Sequence, residues 1–362
     1  MQKFVKEFPV LDQYIYTNTA ASGLFYDSLQ EWRQEHDLDF LIGGIPMKKK
    51  CVGLISETRT AVGTFFGCKR ENVALVPNFT LGLNLVLEGL DKRHKVLLLT
   101  NDYPSVNWPF ESREFEIFYA EINEHLEQNI QSQIAKQQIT VLALSLVQWL
   151  NGIQIDLDFL KNLKNEYPEL IIIADGTQFC GTAEFNFENS GIDVLGASAY
   201  KWLLAGHGNG FMLFTDAVKE KLEPKTIGLN AANGMVNGKE SIRFAKRFEP
   251  GHLDTLSFGS LKFSLDWLSQ LGMKKIGDHN KKMSIRTKKI FSEMNLLEDK
   301  VILRNTQHST IFNIRGNDAI YQHLASKDVI CSQRADGIRF SFHFYNGEND
   351  VDRIVEILKT AL

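Results

Sequence analysis

The sequence predicts an α/β fold built on a mostly parallel sheet of seven strands, with helices on both faces. Seven short runs rich in Val, Ile and Leu alternate with longer segments whose apolar residues recur at helical spacing. Continuous apolar runs are typical of strands that are covered on both faces, as in parallel sheets. The seven runs lie at 72–77, 95–100, 115–122, 139–149, 170–176, 192–198 and 210–215.

Helices are predicted between these runs. The segment SETRTAVGTFFG (56–67) has an apolar face at helical spacing, and Gly67 is suited to end the helix. The segment LDFLKNLKNEY (157–167) has the same period.

A smaller α+β region is expected after about residue 240. The chain there continues with a helical pattern at 258–294, taken as one long helix, two strand patterns at 308–315 and 337–344, and a final helix at 349–362. We therefore predict two domains: a large one at 17–240, and a small one formed by 1–16 and 241–362.

Composition restricts the possible functions. The chain has 362 residues and a net charge of -4, so it has no basic field for nucleic acid. No apolar run reaches the roughly 18 residues of a membrane span, and the start lacks the apolar stretch of a signal peptide. The four cysteines form no C-x-x-C pair and no metal-ligand pattern with histidine. We expect a cytoplasmic enzyme without a metal or a disulfide framework.

Two charged residues occur in apolar surroundings. Asp175 follows the apolar run 170–174, at the carboxyl end of a predicted strand, where open parallel sheets bind ligands. An Asp before Gly176 is also a common turn pair. Lys201 precedes the apolar residues 202–204, and burial there would lower its pKa and provide a neutral, nucleophilic amine. A surface lysine with a buried stem is the alternative.

Together, the lysine and the acid suggest pyridoxal phosphate. This cofactor needs a lysine to hold its aldehyde and a carboxylate to keep its ring nitrogen protonated. It also needs an anion cradle, for which the turn 78–80 before a helix expected at Leu81 is suited. Thr80, taken alone, could be an ordinary N-cap, and Ser198 offers a second hydroxyl.

Several motifs resemble the class V aminotransferase family of fold type I pyridoxal-phosphate enzymes. This family includes cysteine desulfurases, isopenicillin N epimerase-like proteins and kynureninases. The similarity covers nearly the whole chain, and the spacing of its first two motifs is specific. The matching motifs are D-x-x-Q (175–178), S-x-Y-K-W-L (198–203), G-x-G-x-G (206–210) and GIRFS (337–341), with weaker matches in YTNTAA (16–21) and NFTLGLN (78–84).

The resemblance implies specific contacts with the cofactor. Lys201 would form the Schiff base and carry the proton, Asp175 would pair with the ring nitrogen, and Gln178 would bind the phenolic oxygen. The phosphate would be held by a group of residues from two segments: Phe79 and Thr80 in the cradle, and Ser198 and Tyr200 before the lysine.

Other implied contacts involve the cofactor ring and the substrate. Tyr103 would stack on the ring, although a core tyrosine with a satisfied hydroxyl is the competing interpretation. Arg339 would bind the α-carboxylate of the substrate through two parallel hydrogen bonds, unless it faces solvent. Asn18, in the amino-terminal match, would lie with it in the substrate site.

The chain departs from the family pattern at three positions. Tyr200 replaces the histidine found before the lysine in many relatives, as it does in the epimerase-like branch, and Trp149 replaces the asparagine of desulfurases. Trp149 would therefore contribute stacking or shape in place of an amide hydrogen bond. His252 occupies the position of a threonine that relatives donate to the partner subunit's phosphate. The resemblance thus implies a homodimer with sites at the subunit interface.

The reaction remains open among several alternatives. Cys331 lies in the apolar run VIC and is expected to be a buried structural thiol, which disfavours persulfide transfer. Transamination is the first choice. The alternatives are elimination by a cysteine or cystine C–S lyase (or a selenocysteine lyase-like enzyme) and epimerisation. All of these reactions begin with Lys201 removing the α-proton. Arg334 would be either a second substrate-binding arginine or a surface residue.

Proteins of other classes are less compatible with the sequence. The glycines at 206–210 lead into a strand and do not open a helix, so a dinucleotide fingerprint is not formed. A regulatory binding module that keeps the fold without catalysis is the non-enzyme alternative. The complete set of Lys201, Asp175 and Arg339 argues against it.

Overall fold

The computed structural model describes residues 2–361 as an α/β protein. Its helices are α1 (Gln2–Val5), α2 (Asp27–Gly43), α3 (Ile45–Phe66), α4 (Phe79–Glu88), α5 (Pro104–Glu111), α6 (Leu126–Gln137), α7 (Leu157–Glu166), α8 (Asp216–Lys219), α9 (Thr255–Leu271), α10 (Met273–Glu293), α11 (Asp299–Ile302), α12 (Asp318–Ala325) and α13 (Glu348–Ala361). Its strands are β1 (Ile15–Tyr16), β2 (Val73–Val76), β3 (Lys95–Leu99), β4 (Glu116–Ala120), β5 (Val141–Ser145), β6 (Ile171–Asp175), β7 (Val194–Ser198), β8 (Gly210–Phe214), β9 (Ile311–Arg315), β10 (Val329–Ile330), β11 (Ser332–Arg334) and β12 (Gly337–Ser341).

The central sheet has seven strands in the order β2-β8-β7-β6-β5-β3-β4. Strand β8 runs antiparallel to both of its neighbours, and the other pairs are parallel. Each of the seven predicted runs contributes one strand, so the predicted mostly parallel sheet is confirmed. The carboxyl ends of the parallel strands therefore meet at one edge of the sheet.

Both faces of this sheet are covered by apolar side chains. In β5, Leu142 and Leu144 belong to one buried cluster, whereas Val141 and Ala143 belong to another. Successive strand residues point to opposite faces, so the two clusters are the two sides of the sheet. Helices α6 and α7 pack on the first side and α4 on the second.

The carboxyl-terminal part of the chain forms a second, smaller sheet. Strands β11, β12 and β9 pair antiparallel, and β1 from the amino end pairs with β10. A bridge between Asn18 and Ser341 joins the amino-terminal segment to the end of β12. The division into domains 17–240 and 1–16 with 241–362 stays a prediction; Met1 and Leu362 lie outside the described residues.

The single long helix predicted at 258–294 is wrong. The structure has two helices there, α9 and α10, separated by Gly272, which has a φ of 95°. An L-residue rarely adopts this conformation, so the glycine ends the first helix, and its N–H donates to the Leu268 oxygen.

None of the helices within residues 2–361 combines the length and apolarity that a membrane crossing requires.

Candidate active site

A narrow pocket lies at the carboxyl ends of β5 and β6. Ser145 and Asp175 are the last residues of these neighbouring strands and are paired in register. Lys201 follows the end of β7 by three residues and reaches the same place. The pocket therefore brings together five predicted residues, and its full lining is Tyr103, Ser145, Val147, Trp149, Asp175, Thr177, Gln178 and Lys201.

Asp175 is buried at the end of β6. One carboxylate oxygen accepts a hydrogen bond from the Thr177 N–H at 2.8 Å. Burial raises the pKa of Asp175, while the Thr177 hydrogen bonds and the Lys201 charge partly oppose this rise. The turn is held to β7 because the Thr177 hydroxyl accepts the Ser198 N–H at 3.1 Å. Asp175 is thus fixed in place and is not a surface turn residue.

Lys201 is only 5 % exposed, so the alternative of a surface lysine is wrong. Its Nζ lies 5.7 Å from the ring centroid of Tyr103 and 5.5 Å from that of Tyr200. Burial lowers the pKa of Lys201; the Asp175 charge opposes this, and the charges of two arginines, Arg339 and Arg334, reinforce it. The site therefore favours a neutral amine more than water does.

The amino-terminal segment packs directly against the lysine. The Gly23 N–H donates to the main-chain oxygen of Tyr200 at 2.8 Å. A Cβ at Gly23 would lie 2.1 Å from the Lys201 oxygen, so only glycine permits this close approach.

Gln178 is hydrogen bonded on both ends of its amide. Its Nε2 donates to the Ala20 oxygen at 3.0 Å, and its Oε1 accepts the Trp202 indole N–H at 2.8 Å. The amide still has one more N–H beside the pocket.

Tyr103 is positioned by an acid that sequence analysis missed. The two carboxylate oxygens of buried Asp102 accept the backbone N–H groups of Tyr103 and Ser145, each at 2.7 Å. Asp102 follows the apolar run at 95–100 much as Asp175 follows its own run, and that signal could have identified it. The Tyr103 and Trp149 rings make an edge contact with centroids 5.9 Å apart.

Arg339 is only 2 % exposed and does not face solvent, so that alternative is wrong. Its Nη1 donates to the Trp149 main-chain oxygen at 2.7 Å, while its Nε has no hydrogen-bond partner among the described residues. Burial, with the Arg334 charge, lowers the pKa of Arg339 to about 10, so it remains charged near neutral pH. A buried cation with a free donor edge is suited to bind a carboxylate.

Asn18 lies close to this arginine. Ser332 is the cross-strand partner of Arg339, and its hydroxyl donates to the Asn18 side-chain oxygen at 2.7 Å. Arg334 is half-buried on the same strand as Ser332, two residues further on, so these side chains share one face of the small sheet.

The predicted phosphate cradle differs in detail from the structure. Helix α4 begins at Phe79 and not at Leu81, and its N-cap is Asn78, whose side chain accepts the Leu81 N–H at 2.9 Å. Thr80 is therefore not the cap but an exposed residue of the first turn. Asn78 caps the helix because a short side-chain oxygen reaches the free N–H groups of the first turn.

The cradle residues lie on two neighbouring segments. The Phe79 N–H donates to the Ser198 hydroxyl at 2.9 Å, whereas the Phe79 side chain packs in the core. Tyr200 is half-buried and stacks on His207, with ring centroids 4.3 Å apart.

His252 does not reach this pocket. It lines a separate cavity of about 760 Å³, together with basic residues that include Arg59, Arg243 and Lys246.

The lining of the pocket contains no cysteine. Cys331 is buried, and burial raises the pKa of its thiol to about 12. It has the character of a structural thiol.

The residues at the pocket fit pyridoxal phosphate. A buried amine and a buried acid line the same pocket, which matches the aldehyde and the ring nitrogen of the cofactor. At or beside this pocket, three buried polar atoms have no protein partner among the described residues: the Ser145 hydroxyl, the Trp149 indole N–H and the Arg339 Nε. Unpaired buried groups of this kind are costly unless a ligand pairs with them.

Comparison with known proteins gives a consistent result. The family model described as aminotransferase class-V matches residues 43–354. A probable cysteine desulfurase of Ureaplasma parvum is 25% identical over 338 residues, covering 84% of this chain and 82% of that protein. An uncharacterized aminotransferase of Bacillus subtilis, YcbU, is 20% identical and covers 98% of this chain and 96% of its own.

Solved structures share the fold. The apo cysteine desulfurase from Thermococcus onnurineus NA1 superposes with a TM-score of 0.87 at 18% identity, covering 99% of this chain and 97% of that one. The cystine C–S lyase C-DES, in complex with its product cysteine persulfide, superposes with a TM-score of 0.82 at 18% identity, covering 97% and 98%.

Proposed function

Because the chain belongs to the class-V aminotransferase family, we propose that it is a pyridoxal-phosphate enzyme that transaminates an amino acid. One observation carries the proposal: a buried lysine and a buried acid line one pocket, beside a buried arginine whose donor edge is free.

When bound, pyridoxal phosphate supplies an aldehyde that condenses with amines and a protonated ring that withdraws electrons from the substrate's α-carbon. Lys201 would hold the aldehyde, and Gln178 would donate its second amide N–H to the phenolic oxygen. The hydroxyls of Thr80, Ser198 and Tyr200 would hold the phosphate at the start of α4.

Asp175 holds the proton at the ring nitrogen. Its position is fixed by the Thr177 N–H, and it is shielded from water. In such surroundings an ion pair is stronger than in water. The negative charge of Asp175 would therefore keep the ring nitrogen protonated.

Lys201 moves the proton at the substrate's α-carbon. Burial lowers the pKa of this lysine, so a far larger fraction of the Nζ is the neutral base near neutral pH than for a lysine in water. Transamination requires that the proton be returned to the carbon of the cofactor's aldehyde group, and the same nitrogen would deliver it there.

Arg339 binds the substrate's α-carboxylate. The Trp149 main-chain oxygen occupies Nη1, so the Nε remains free to donate to the carboxylate. Asn18 would contribute to the same site through its contact with Ser332, the cross-strand partner of Arg339. The rings of Tyr103 and Trp149 would exclude water from the reacting atoms.

Elimination from a sulfur amino acid is the second candidate reaction. It is favoured by a pocket lined without cysteine and by the fold shared with the cystine C–S lyase C-DES. Such an elimination needs a proton carrier but no thiol nucleophile. Epimerisation would use the same lysine.

Single-turnover experiments with a panel of amino acids separate these reactions. Transamination predicts a 2-oxo acid and conversion of the bound cofactor to its amine form. Pyruvate and ammonia without the amine form would reject transamination in favour of elimination, and loss of optical purity alone would indicate epimerisation.

We also propose a cytoplasmic homodimer with sites at the subunit interface. His252 and Arg243 line the separate cavity, away from their own chain's pocket, where they are suited to meet an anionic group of a second copy; Arg59 and Lys246 beside them are paired with Glu249. Light scattering of the purified protein tests the mass; a monomeric holoenzyme with full activity contradicts the proposal.

A further inference from the structure

The orientation of the Gln178 amide is fixed by its two protein partners. The Trp202 indole N–H can only donate, and the Ala20 oxygen can only accept. The amide oxygen must therefore face Trp202, and the amide nitrogen must face Ala20. In a flipped amide, the NH2 group would face the indole N–H, and the amide oxygen would face the Ala20 oxygen; neither pair can form a hydrogen bond.

This orientation decides what the pocket offers to a ligand. Gln178 lines the pocket and is buried, and only one of its two N–H groups is used by Ala20. The second N–H is a donor at the pocket wall, next to Lys201. A freely rotating amide would present its oxygen there for part of the time.

Trp202 is itself rigidly held. It is only 1 % exposed and directly follows Lys201 in the chain. Its main-chain oxygen accepts the His343 Nε2–H at 3.0 Å, and the two rings make an edge contact with centroids 5.2 Å apart. The residue that follows the lysine is thus anchored to the segment directly after β12.

We propose that Trp202 is a positioning residue, whose indole N–H locks the Gln178 amide so that a donor always faces the oxygen beside the lysine-bound aldehyde. The inference rests on the proposed function, since it concerns the cofactor bound at Lys201. A donor at this oxygen stabilises its anionic form and so lowers the pKa of the lysine-bound cofactor.

The test is a spectroscopic pH titration of the holoenzyme. The near-visible band of the lysine-bound cofactor is recorded against pH for the wild type and for Trp202→Phe, which removes the N–H and keeps an aromatic ring. We expect the apparent pKa of the band to rise by about one unit in the variant, a tenfold change in the proton equilibrium.

Two controls separate this role from a merely structural one. Trp267→Phe removes another buried indole N–H, which donates to Glu7 at 3.2 Å, and it should leave the titration unchanged. In a Gln178→Leu background, Trp202→Phe should cause no further shift, because Trp202 acts through the amide.

Folding of the variant does not limit the test. If Trp202→Phe does not fold, 3-benzothienylalanine at position 202 replaces the N–H by sulfur at nearly the same shape, and the same rise in pKa is expected.

The outcomes are distinguishable from those of the proposed function. A wild-type protein that binds no pyridoxal phosphate overturns the proposed function. A wild type whose band titrates, with an identical pKa when the indole N–H is absent, overturns only the role of Trp202. A shift that persists undiminished in the Gln178→Leu background also overturns it.

Discussion

The Arg339 Nη1 donates to the Trp149 main-chain oxygen at 2.7 Å, while the Nε of the same buried guanidinium has no hydrogen-bond partner among the described residues. The backbone of the segment after β5 thereby orients a side chain of β12. This hydrogen bond links the two sheets beside the proposed substrate site.

Arg339→Lys should weaken substrate binding far more than cofactor binding. An ammonium cannot keep the Trp149 contact and also donate two parallel bonds to a carboxylate, so we expect kcat/KM to fall roughly 100-fold, about 2–3 kcal/mol. Arg315→Lys, on the exposed end of β9, is the matched control. Equal losses in both variants would contradict the assigned role.

Lys201→Ala should abolish the near-visible absorption band of the lysine-bound cofactor. In the wild type, borohydride should remove this band by reducing the linkage between the lysine and the aldehyde. Because the amine also carries the α-proton, turnover should fall by about 1,000-fold or more. Lys288→Ala removes a half-buried lysine away from the pocket and should retain the band and the activity. A variant at Lys201 that keeps full turnover would refute the mechanism.

Asp102→Asn should destabilise the protein. One amide can supply only one oxygen to the two N–H groups of Tyr103 and Ser145, so one buried donor loses its partner, at a cost of about 1–3 kcal/mol. Urea denaturation measures the free energy of unfolding. The exposed Asp12→Asn serves as the control and should change it little.

Buried histidines should make the free energy of unfolding fall in acid. Burial lowers the pKa of His308 to about 4 and that of His343 to about 3, so the unfolded chain binds protons first as the pH falls. Their stabilisation is complete above about pH 6.5 and is lost as the pH falls towards these values, by up to about 1.4 kcal/mol per pH unit for each imidazole.

Denaturation curves between pH 7 and pH 4 check this dependence. His343→Gln should reduce the slope by the contribution of one buried imidazole. An unchanged slope in this variant would show that His343 does not titrate in this way.

Cys331→Ala should leave turnover essentially unchanged. The thiol is buried and its pKa is raised to about 12, so little thiolate exists near neutral pH. Cys51→Ala, at a partly exposed cysteine, controls for the loss of any thiol. Loss of sulfur release from cysteine in the first variant alone, with the fold intact, would point to a persulfide relay.

The strands and the reactive pair could be predicted because their signals are local. Each apolar run is a strand buried on both faces, and Asp175 and Lys201 stand directly beside such runs. Gly272 was missed as a helix end because the apolar period continues across it, and helical spacing alone does not reveal backbone angles.

By itself, the sequence determined the family, the sheet and the identities of the lysine, the acid and the arginine. Tertiary structure decided their surroundings: the Trp149 oxygen on Arg339, the Asp102 clamp and the lock on the Gln178 amide. These contacts join residues that are far apart in the chain or depend on burial and on donor geometry, which a linear pattern does not contain. The type of a residue determines its functional group, but its pKa and its unpaired hydrogen-bond donors depend on the residues that pack around it.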